Sequence, residues 1–459
     1  MLLDRQTSDI DIAVDGNALN IAKNVAEEFG GKFVVLDRVN NIARIVIGEE
    51  TKQWHMDISS FSGNIRSDLA RRDFTINAMA VELGDFDPNN ALKLVDPFSG
   101  REDLKNKVLR AVSDCIFEQD AARLLRAVRL AMELGLEVDQ HTECLIRGCS
   151  QYVTKVAGER VREEFLRLLG LPRAAHNLRY LDSLGLLGAL IPELMDGKEV
   201  EQPTVHFWDV FEHSLQTVAT LEFVIRESDW LYSNGEMLQT AIWSENIEGH
   251  LSQEISSGSN HRILLKIGAL LHDVAKPKTK LVDDRGRARF FGHTMQGAAM
   301  ATGIMERLRF SGRETKLVED MVKHHLHPVQ MATEGLPTSR AIYRYFRDTG
   351  DSGIDILFLA LADYLACLGP LVTMRGWRRH CRLISYIMEE HEKQQIKIYP
   401  VKLVNGHDLM ERFGLASGPL LGELLSILCE AQASGDINNR EEALALAESE
   451  LNKQRCATR

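Results

Sequence analysis

Ser8-Asp9-Ile10-Asp11-Ile12-Ala13-Val14 sets two carboxylates two residues apart inside a β-branched, apolar run. Such a run reads as a strand, and side chains at i and i+2 of a strand point to the same side of it. Asp9 and Asp11 therefore project together, while Ile10, Ile12 and Val14 turn toward a core. Two adjacent anions repel unless a cation sits between them, and hard carboxylate oxygens suit Mg²⁺. An ordinary exposed strand face with two aspartates has the same spacing, so the surroundings decide what the pair means.

Downstream, Leu19, Ile21, Ala22, Val25 and Phe29 recur at helical spacing and Gly30-Gly31 ends the run, which predicts a helix over Asn17 to Phe29. Lys32 to Leu36 and Ile42 to Ile47 read as strands joined by a turn at Arg38 to Asn41. Gln53 to Ile58 is a further strand and carries Asp57. Residues 1–98 thus form a small α/β head. Next comes Arg71-Arg72-Asp73-Phe74-Thr75-Ile76-Asn77-Ala78, a polar cluster that runs into apolar positions. The planar fork of arginine suits phosphate, and Asp or Asn suits a sugar hydroxyl or a base edge. From Glu118 the pattern is helical, with Asp120 and Arg123 three apart on one face and Arg126 a turn further on.

The bulk properties narrow the class. A chain of 459 residues suggests about three domains. With 44% hydrophobic and 26% charged residues it has the composition of a soluble globular protein. No uninterrupted apolar run nears the roughly 18 residues of a membrane span, and no signal segment opens the chain. Seven cysteines without a Cys-x-x-Cys pair argue against a disulfide framework, so a reducing cytoplasmic setting is expected. The net charge of −12 speaks against nucleic acid as a partner. Residues 101–180, however, hold 14 Lys and Arg against 12 Asp and Glu, which frees that span of the overall acidity.

Taken together the motifs resemble the class II tRNA nucleotidyltransferases (CCA-adding enzymes) and their poly(A) polymerase relatives. The matching pieces are Leu2-Leu3-Asp4-Arg5, Asp9/Asp11, Arg71 to Ala78, Asp96-Pro97 with Gly100, Asp120-x-x-Arg123 and Glu159-Arg160. They stand in the family's order over about the first 180 residues. The resemblance implies an α+β protein: a polymerase-β-like α/β head followed by an all-α body. It implies that Asp9 and Asp11 hold Mg²⁺, with Asp57 as a third carboxylate helping the attacking hydroxyl. Arg71, Arg72, Asp73 and Asn77 would contact the nucleotide's phosphate and ribose, and Asp120, Arg123 and Arg126 would face its base. Cytosine and adenine both offer the donor-plus-acceptor edge that an Asp–Arg pair can read, so CTP and ATP are the implied substrates and tRNA the partner. Two departures stand out. Gln119 occupies the place of the usual Glu before Asp120. The family's Gly-Gly-x-x-Arg-Asp element, expected before Leu2-Leu3, is not in this chain, which predicts poor nucleotide transfer by the chain as written.

The second half carries His213, His272-Asp273 and Asp363 at the ends of apolar runs. Their order resembles the HD phosphohydrolase superfamily, with Lys276, His293 and His324-His325 as further matches. The resemblance implies a dinuclear centre for Ni²⁺, Mn²⁺ or another divalent transition metal, with Lys276 on a substrate phosphate. Residues 227–260 are polar and read as a surface insertion, and the stretch after Tyr399-Pro400 reads as amphipathic helices. The expected organisation is a head at 1–98, a nucleotide-recognition neck at 99–195, an HD domain at 196–395 and a tRNA-binding tail at 396–459. CCA addition with an appended phosphohydrolase is the leading functional expectation. The alternatives are a CC-only or A-only enzyme, a poly(A) polymerase, or an HD phosphatase whose transferase head is inactive.

Overall fold

The computed structural model describes residues 2–3, 7, 9–49, 52–61, 63–85, 93–203, 206–332, 335–397 and 403–457. Asp4 and Arg5 of the opening motif and Tyr399-Pro400 lie outside them. The chain divides into two compact units, residues 1–152 and 153–459.

The first unit begins with β1 (Asp9–Val14), α1 (Ala18–Glu28), β2 (Lys32–Asp37), β3 (Ile42–Glu49) and β4 (Lys52–Ser60). These strands form one sheet in the order β1-β4-β3-β2. β1 runs parallel to β4, and the other neighbours are antiparallel. Asn17 caps α1 by accepting from the Asn20 amide. Ala18, Ala22 and Ala26, four apart, give α1 a smooth stripe that lies close on Ala43, Ile45 and Ile58. Asp37 closes the β2–β3 turn by accepting from the amides of Val39 and Asn40. One expectation fails here: Ile12 and Val14 pack on this core, but Ile10 is 39% exposed. It sits toward the open end of an edge strand, beyond the reach of α1's apolar stripe.

The rest of the first unit is made of short pieces. They include the turn Thr75–Asn77 and the helices Gly100–Lys105, Ile116–Gln119, Arg123–Leu134 and Gln140–Cys149. Phe74, Leu109, Phe117 and Leu124 are buried among them. The first compact unit runs on through residue 152, so residues 99–152 lie in it together with the sheet.

The second unit is mainly helical. Helix Val210–Val224 packs on Gly353–Leu368 and on His261–Leu271, and His293–Arg307 packs on Gly312–His324. Two small hairpins, Glu254–Ser256 with Ser259–Asn260 and Lys280–Val282 with Ala288–Phe290, interrupt the expected all-α body. Residues 227–260 are not a surface insertion. Trp230, Met237, Ala241, Ile247 and Leu251 in that stretch are buried. Average polarity concealed a few apolar residues at the right spacing, such as Ile247 and Leu251 at i and i+4. Ser339–Leu371 is long and apolar enough to cross a membrane, which the sequence reading did not anticipate. It is broken at Gly350, and its second helix buries Ile356 through Ala362 inside the protein. Helices Gly406–Phe413, Pro419–Ser434 and Arg440–Ala457 close the chain around Leu409, Leu424 and Ala447.

Candidate active sites

On the face of the sheet opposite α1, strand register assembles a charged patch. Asp9 pairs with His55 and Asp11 with Asp57 across the parallel β1–β4 ladder. Register-paired residues point to the same side, so three carboxylates share this face. Arg44, opposite Asp57 on β3, joins them. Its Nε and Nη2 donate to the two Asp57 oxygens at 2.7 and 2.8 Å, a bidentate fork. That pairing with Asp57 raises the Arg44 pKa, and Asp9 and Asp11 add to it. Asp57 is thus the carboxylate whose charge a guanidinium already offsets. His55 Nδ1 lies 3.3 Å from Asp9 Oδ1. Arg44 and His55 escaped the sequence reading, because nothing in the local pattern says which strand will lie beside β1.

The Arg-Arg-Asp motif folds into a tight turn around Asp73. Asp73 Oδ1 accepts from the Phe74 amide at 2.8 Å and from Asn77 Nδ2 at 3.1 Å, while Oδ2 faces Arg126 Nε at 2.9 Å. Asp73 is therefore engaged by its neighbours and buried, and it positions Asn77 and Arg126. Arg71 and Arg72 pair with Asp68 at 3.1 and 3.4 Å. Arg123 Nη2 donates to the Arg71 carbonyl at 2.9 Å, which ties the helix Arg123–Leu134 to the turn. Asp120 Oδ1 accepts from the Ala122 amide at 3.1 Å. Gln119 donates to Cys115 Sγ at 3.0 Å. The Asp96 and Gly100 pieces have a structural basis: Asp96 accepts from the Gly100 amide at 2.7 Å, and a Cβ on Gly100 would stand 2.0 Å from the Thr75 carbonyl oxygen. Only glycine permits that approach.

In the second unit five chain segments converge. His213 comes from helix Val210–Val224, whose N-cap Asp209 accepts from the Glu212 amide. His272-Asp273 follows helix His261–Leu271, and Asp363 lies within Gly353–Leu368. His213 Nε2 stands 3.2 Å from His272 Nε2, 3.0 Å from Asp363 Oδ1 and 3.4 Å from Asp273 Oδ2. His293 Nε2 and His325 Nε2 face Asp273 Oδ1 at 3.6 and 3.8 Å. Backbone carbonyls fix three of the rings through Nδ1: Ala269 holds His272, Phe290 holds His293 and Val322 holds His325. Each Nε2 is thereby aimed inward, as a metal-binding imidazole needs. Asp273 Oδ1 and His293 Nε2 are buried with no hydrogen-bond partner, which fits a cation between them.

His324 does not join this group. Its ring stacks on His327 with centroids 5.8 Å apart, because adjacent helical residues point in different directions. Lys276 Nζ lies 2.6 Å from both Asp273 Oδ2 and Gln202 Oε1, so it contacts a cluster carboxylate directly. His206 also lies here, its ring edge-on to His213 at 5.5 Å. No motif signalled His206 or Gln202. Burial alone would raise the Asp273 pKa, but His272, Lys276 and hydrogen bonds from His213 and His272 hold it well below the carboxylate range. Burial likewise opposes charge on His213, yet its bonds to Asp273 and Asp363 raise its pKa. Burial pushes His325 down to about 4, which keeps it neutral and able to donate a lone pair.

Four family models match stretches of the chain. A poly A polymerase head domain model matches residues 1–110, an RNA- and SrmB-binding-site model of polymerase A matches 135–197, an HD domain model matches 210–368 and a tRNA nucleotidyltransferase domain 2 model matches 378–447. The A-adding tRNA nucleotidyltransferase of Deinococcus radiodurans is 31% identical over 433 residues, 93% of this chain and 88% of that one. The CC-adding tRNA nucleotidyltransferase of Thermus thermophilus is 32% identical over 452 residues, 97% and 90% of the two chains. The chain belongs to the tRNA nucleotidyltransferase family. Its fold is that of a Thermotoga maritima CCA-adding enzyme solved in complex with tRNA, at a TM-score of 0.59 and 21% identity over 98% of this chain and 88% of the other. Within this tRNA nucleotidyltransferase, the acidic strand and the Asp73 turn fall in the head match, and the histidine cluster falls in the HD match.

Proposed function

We propose that the chain adds CCA to the 3′ end of tRNA from CTP and ATP, without a nucleic-acid template. The observation that carries this reading is the register that sets Asp9, Asp11 and Asp57 on one open face of the sheet. Asp9 and Asp11 would hold Mg²⁺, whose part is to neutralise the triphosphate and acidify the RNA hydroxyl. Asp57, beside Asp11 in register and held by Arg44, would orient that hydroxyl. Arg71 and Arg72, at the exposed edge of the turn, supply forks for phosphate. Asn77, steadied by Asp73, is the ribose contact. Asp120 accepts from the amino group of cytosine or adenine and Arg123 donates to the ring acceptors, which rejects uracil and guanine. The terminal helices after residue 403 support the tRNA, and the reducing cytoplasm is the expected setting.

The HD cluster gives the chain a second, phosphohydrolase activity. His213, His272, Asp273, His293, His325 and Asp363 would hold a divalent transition metal such as Ni²⁺ or Mn²⁺, which supplies hydroxide from bound water. Lys276, whose Nζ contacts Asp273, would turn to a substrate phosphate.

Incubation with Mg²⁺, labelled CTP and ATP, and tRNA lacking its CCA end tests the first activity. Addition of two C residues and then A is expected, its rate measuring the poor transfer predicted above, with UTP and GTP refused by the parent and admitted by Arg123→Ala. No incorporation overturns the reading, and incorporation of C alone or A alone reassigns the enzyme to a partial adder. Turnover of p-nitrophenyl phosphate or 2′,3′-cyclic nucleotides with Mn²⁺ or Ni²⁺ tests the second, and metal-independent turnover or none at all removes it.

A further inference from the structure

Three further metal-binding side chains meet elsewhere in the second unit, and the readings above use none of them. His250 lies on helix Glu245–Ser252, inside the segment 227–260. His261 opens helix His261–Leu271, and Asp355 sits in the first turn of Gly353–Leu368. His250 Nε2 is 2.9 Å from Asp355 Oδ1, and His261 Nδ1 is 2.7 Å from Asp355 Oδ2. The two rings stand 4.1 Å apart, and the three ligating atoms lie within 4.8 Å of one another. We infer that His250, His261 and Asp355 form a second divalent-metal site, suited to zinc, separate from the HD cluster.

Three physical arguments carry this. The Asp355 side chain has no exposure and that of His261 2%, and a buried carboxylate needs a positive partner to offset its desolvation. A divalent ion between the three groups supplies that charge. Two imidazoles and one carboxylate are also the donor set that zinc and its first-row neighbours take. The His250 side chain is 15% exposed, which leaves a route for the ion and for a water in the fourth position.

The site's place in the fold suggests its use. His261 and Asp355 stand on the same two helices that present His272 and Asp363 to the HD cluster. They lie about 16 Å and about 12 Å away along those helices at 1.5 Å per residue. His250 comes from the segment packed beside them. An ion there fastens that segment to the helix pair and fixes the spacing of the helices that carry the HD ligands. It is a structural fastener and takes no part in either reaction.

The test uses the full chain, loaded with Zn²⁺ and then exhaustively dialysed, with zinc counted per chain by mass spectrometry. A variant with the HD cluster disabled, His213→Gln with Asp363→Asn, is expected to retain one zinc. Adding His250→Gln is expected to remove it. In the parent background His250→Gln alone should lower the zinc count by one and lower Tm by several degrees in zinc but not in chelator. A zinc count unchanged by His250→Gln overturns the inference, as does an HD-disabled chain that holds no zinc. Should the HD variant not fold, crystals of the parent soaked in Zn²⁺ give the same decision. An anomalous peak among His250, His261 and Asp355 is expected, and its absence overturns the site. Loss of HD turnover with this zinc retained would count against the phosphohydrolase reading alone.

Discussion

Asp9 on the edge strand keeps 70% of its side chain in solvent, whereas His213 and Asp273 keep 0% and 2%. The open carboxylates of the head are held by strand register and by few side-chain contacts. The HD group is held four ways: by helix packing, by carbonyls behind three imidazoles, by mutual hydrogen bonds and by Lys276. An open acidic face leaves room for a triphosphate and an RNA end to approach. A closed cluster leaves Asp273 Oδ1 and His293 Nε2 buried without a hydrogen-bond partner, which fits a cation. Removing a group from the first should affect chemistry and hardly touch stability. Removing one from the second should affect both.

The sharpest way to break this contrast is Asp11→Asn. Nucleotide incorporation should fall roughly 10²–10³-fold, while stability stays within about 0.5 kcal/mol, as for other exposed substitutions. Thermal unfolding alongside the CTP assay checks both halves, and a large loss of stability would show that the face is less open than its register suggests. Asp273→Asn should abolish HD turnover and also destabilise by about 1–3 kcal/mol, because buried donors lose their acceptor. Denaturant titration of the metal-free protein measures that cost.

Two smaller effects sharpen the comparison. Gly100→Ala should cost about 1–3 kcal/mol, since its Cβ must displace the Thr75 carbonyl and strain the turn around Asp73. Nucleotide affinity should weaken with it, measurable as a raised KM for CTP. The last prediction concerns pH. Burial holds His391 at about 4 against an ordinary 6.5. The unfolded chain therefore takes up that proton first, and stability falls as pH drops from about 6.5 toward 4. Asp273 and Asp363, whose pKa values are depressed, add to the loss only as pH falls below the ordinary carboxylate value near 3.8. His391 stacks on Phe346 with centroids 3.4 Å apart. His391→Phe should keep the apolar packing and flatten the pH 6.5–4 slope by up to about one proton, as read from unfolding midpoints across that range.

Much of the first unit was legible because its signals are local. The alternation in β1, the alanine stripe of α1 and the turn at Asp37 to Asn41 each depend on residues near one another in the chain. The Arg-Arg-Asp-Phe-Thr-Ile-Asn string could be picked out, but its internal wiring could not. Asp73 reads as a ligand contact until Arg126 and Asn77 are seen to occupy its oxygens. His324 and His325 are equivalent on paper, and only the helix direction sends one into the cluster and the other toward His327. The segment 227–260 misled for a related reason: five buried apolar residues suffice to anchor a stretch whose average is polar.

The sequence by itself determined the element types of the head, the acidic pair, the family and the ordered histidines and aspartates of the second unit. These follow from periodicity and from residue types at fixed spacing, which backbone geometry converts directly into faces. Tertiary structure alone decided that Arg44 clamps Asp57, that His206 and Gln202 border the HD cluster, and that His250, His261 and Asp355 meet. Each of those contacts joins residues from separate elements, and which elements become neighbours is settled by core packing. The acidic strand illustrates both: its two aspartates and Asp57 were plain in the chain, and the register that aligns Asp57 with Asp11 and the Arg44 fork that holds it came only with the sheet.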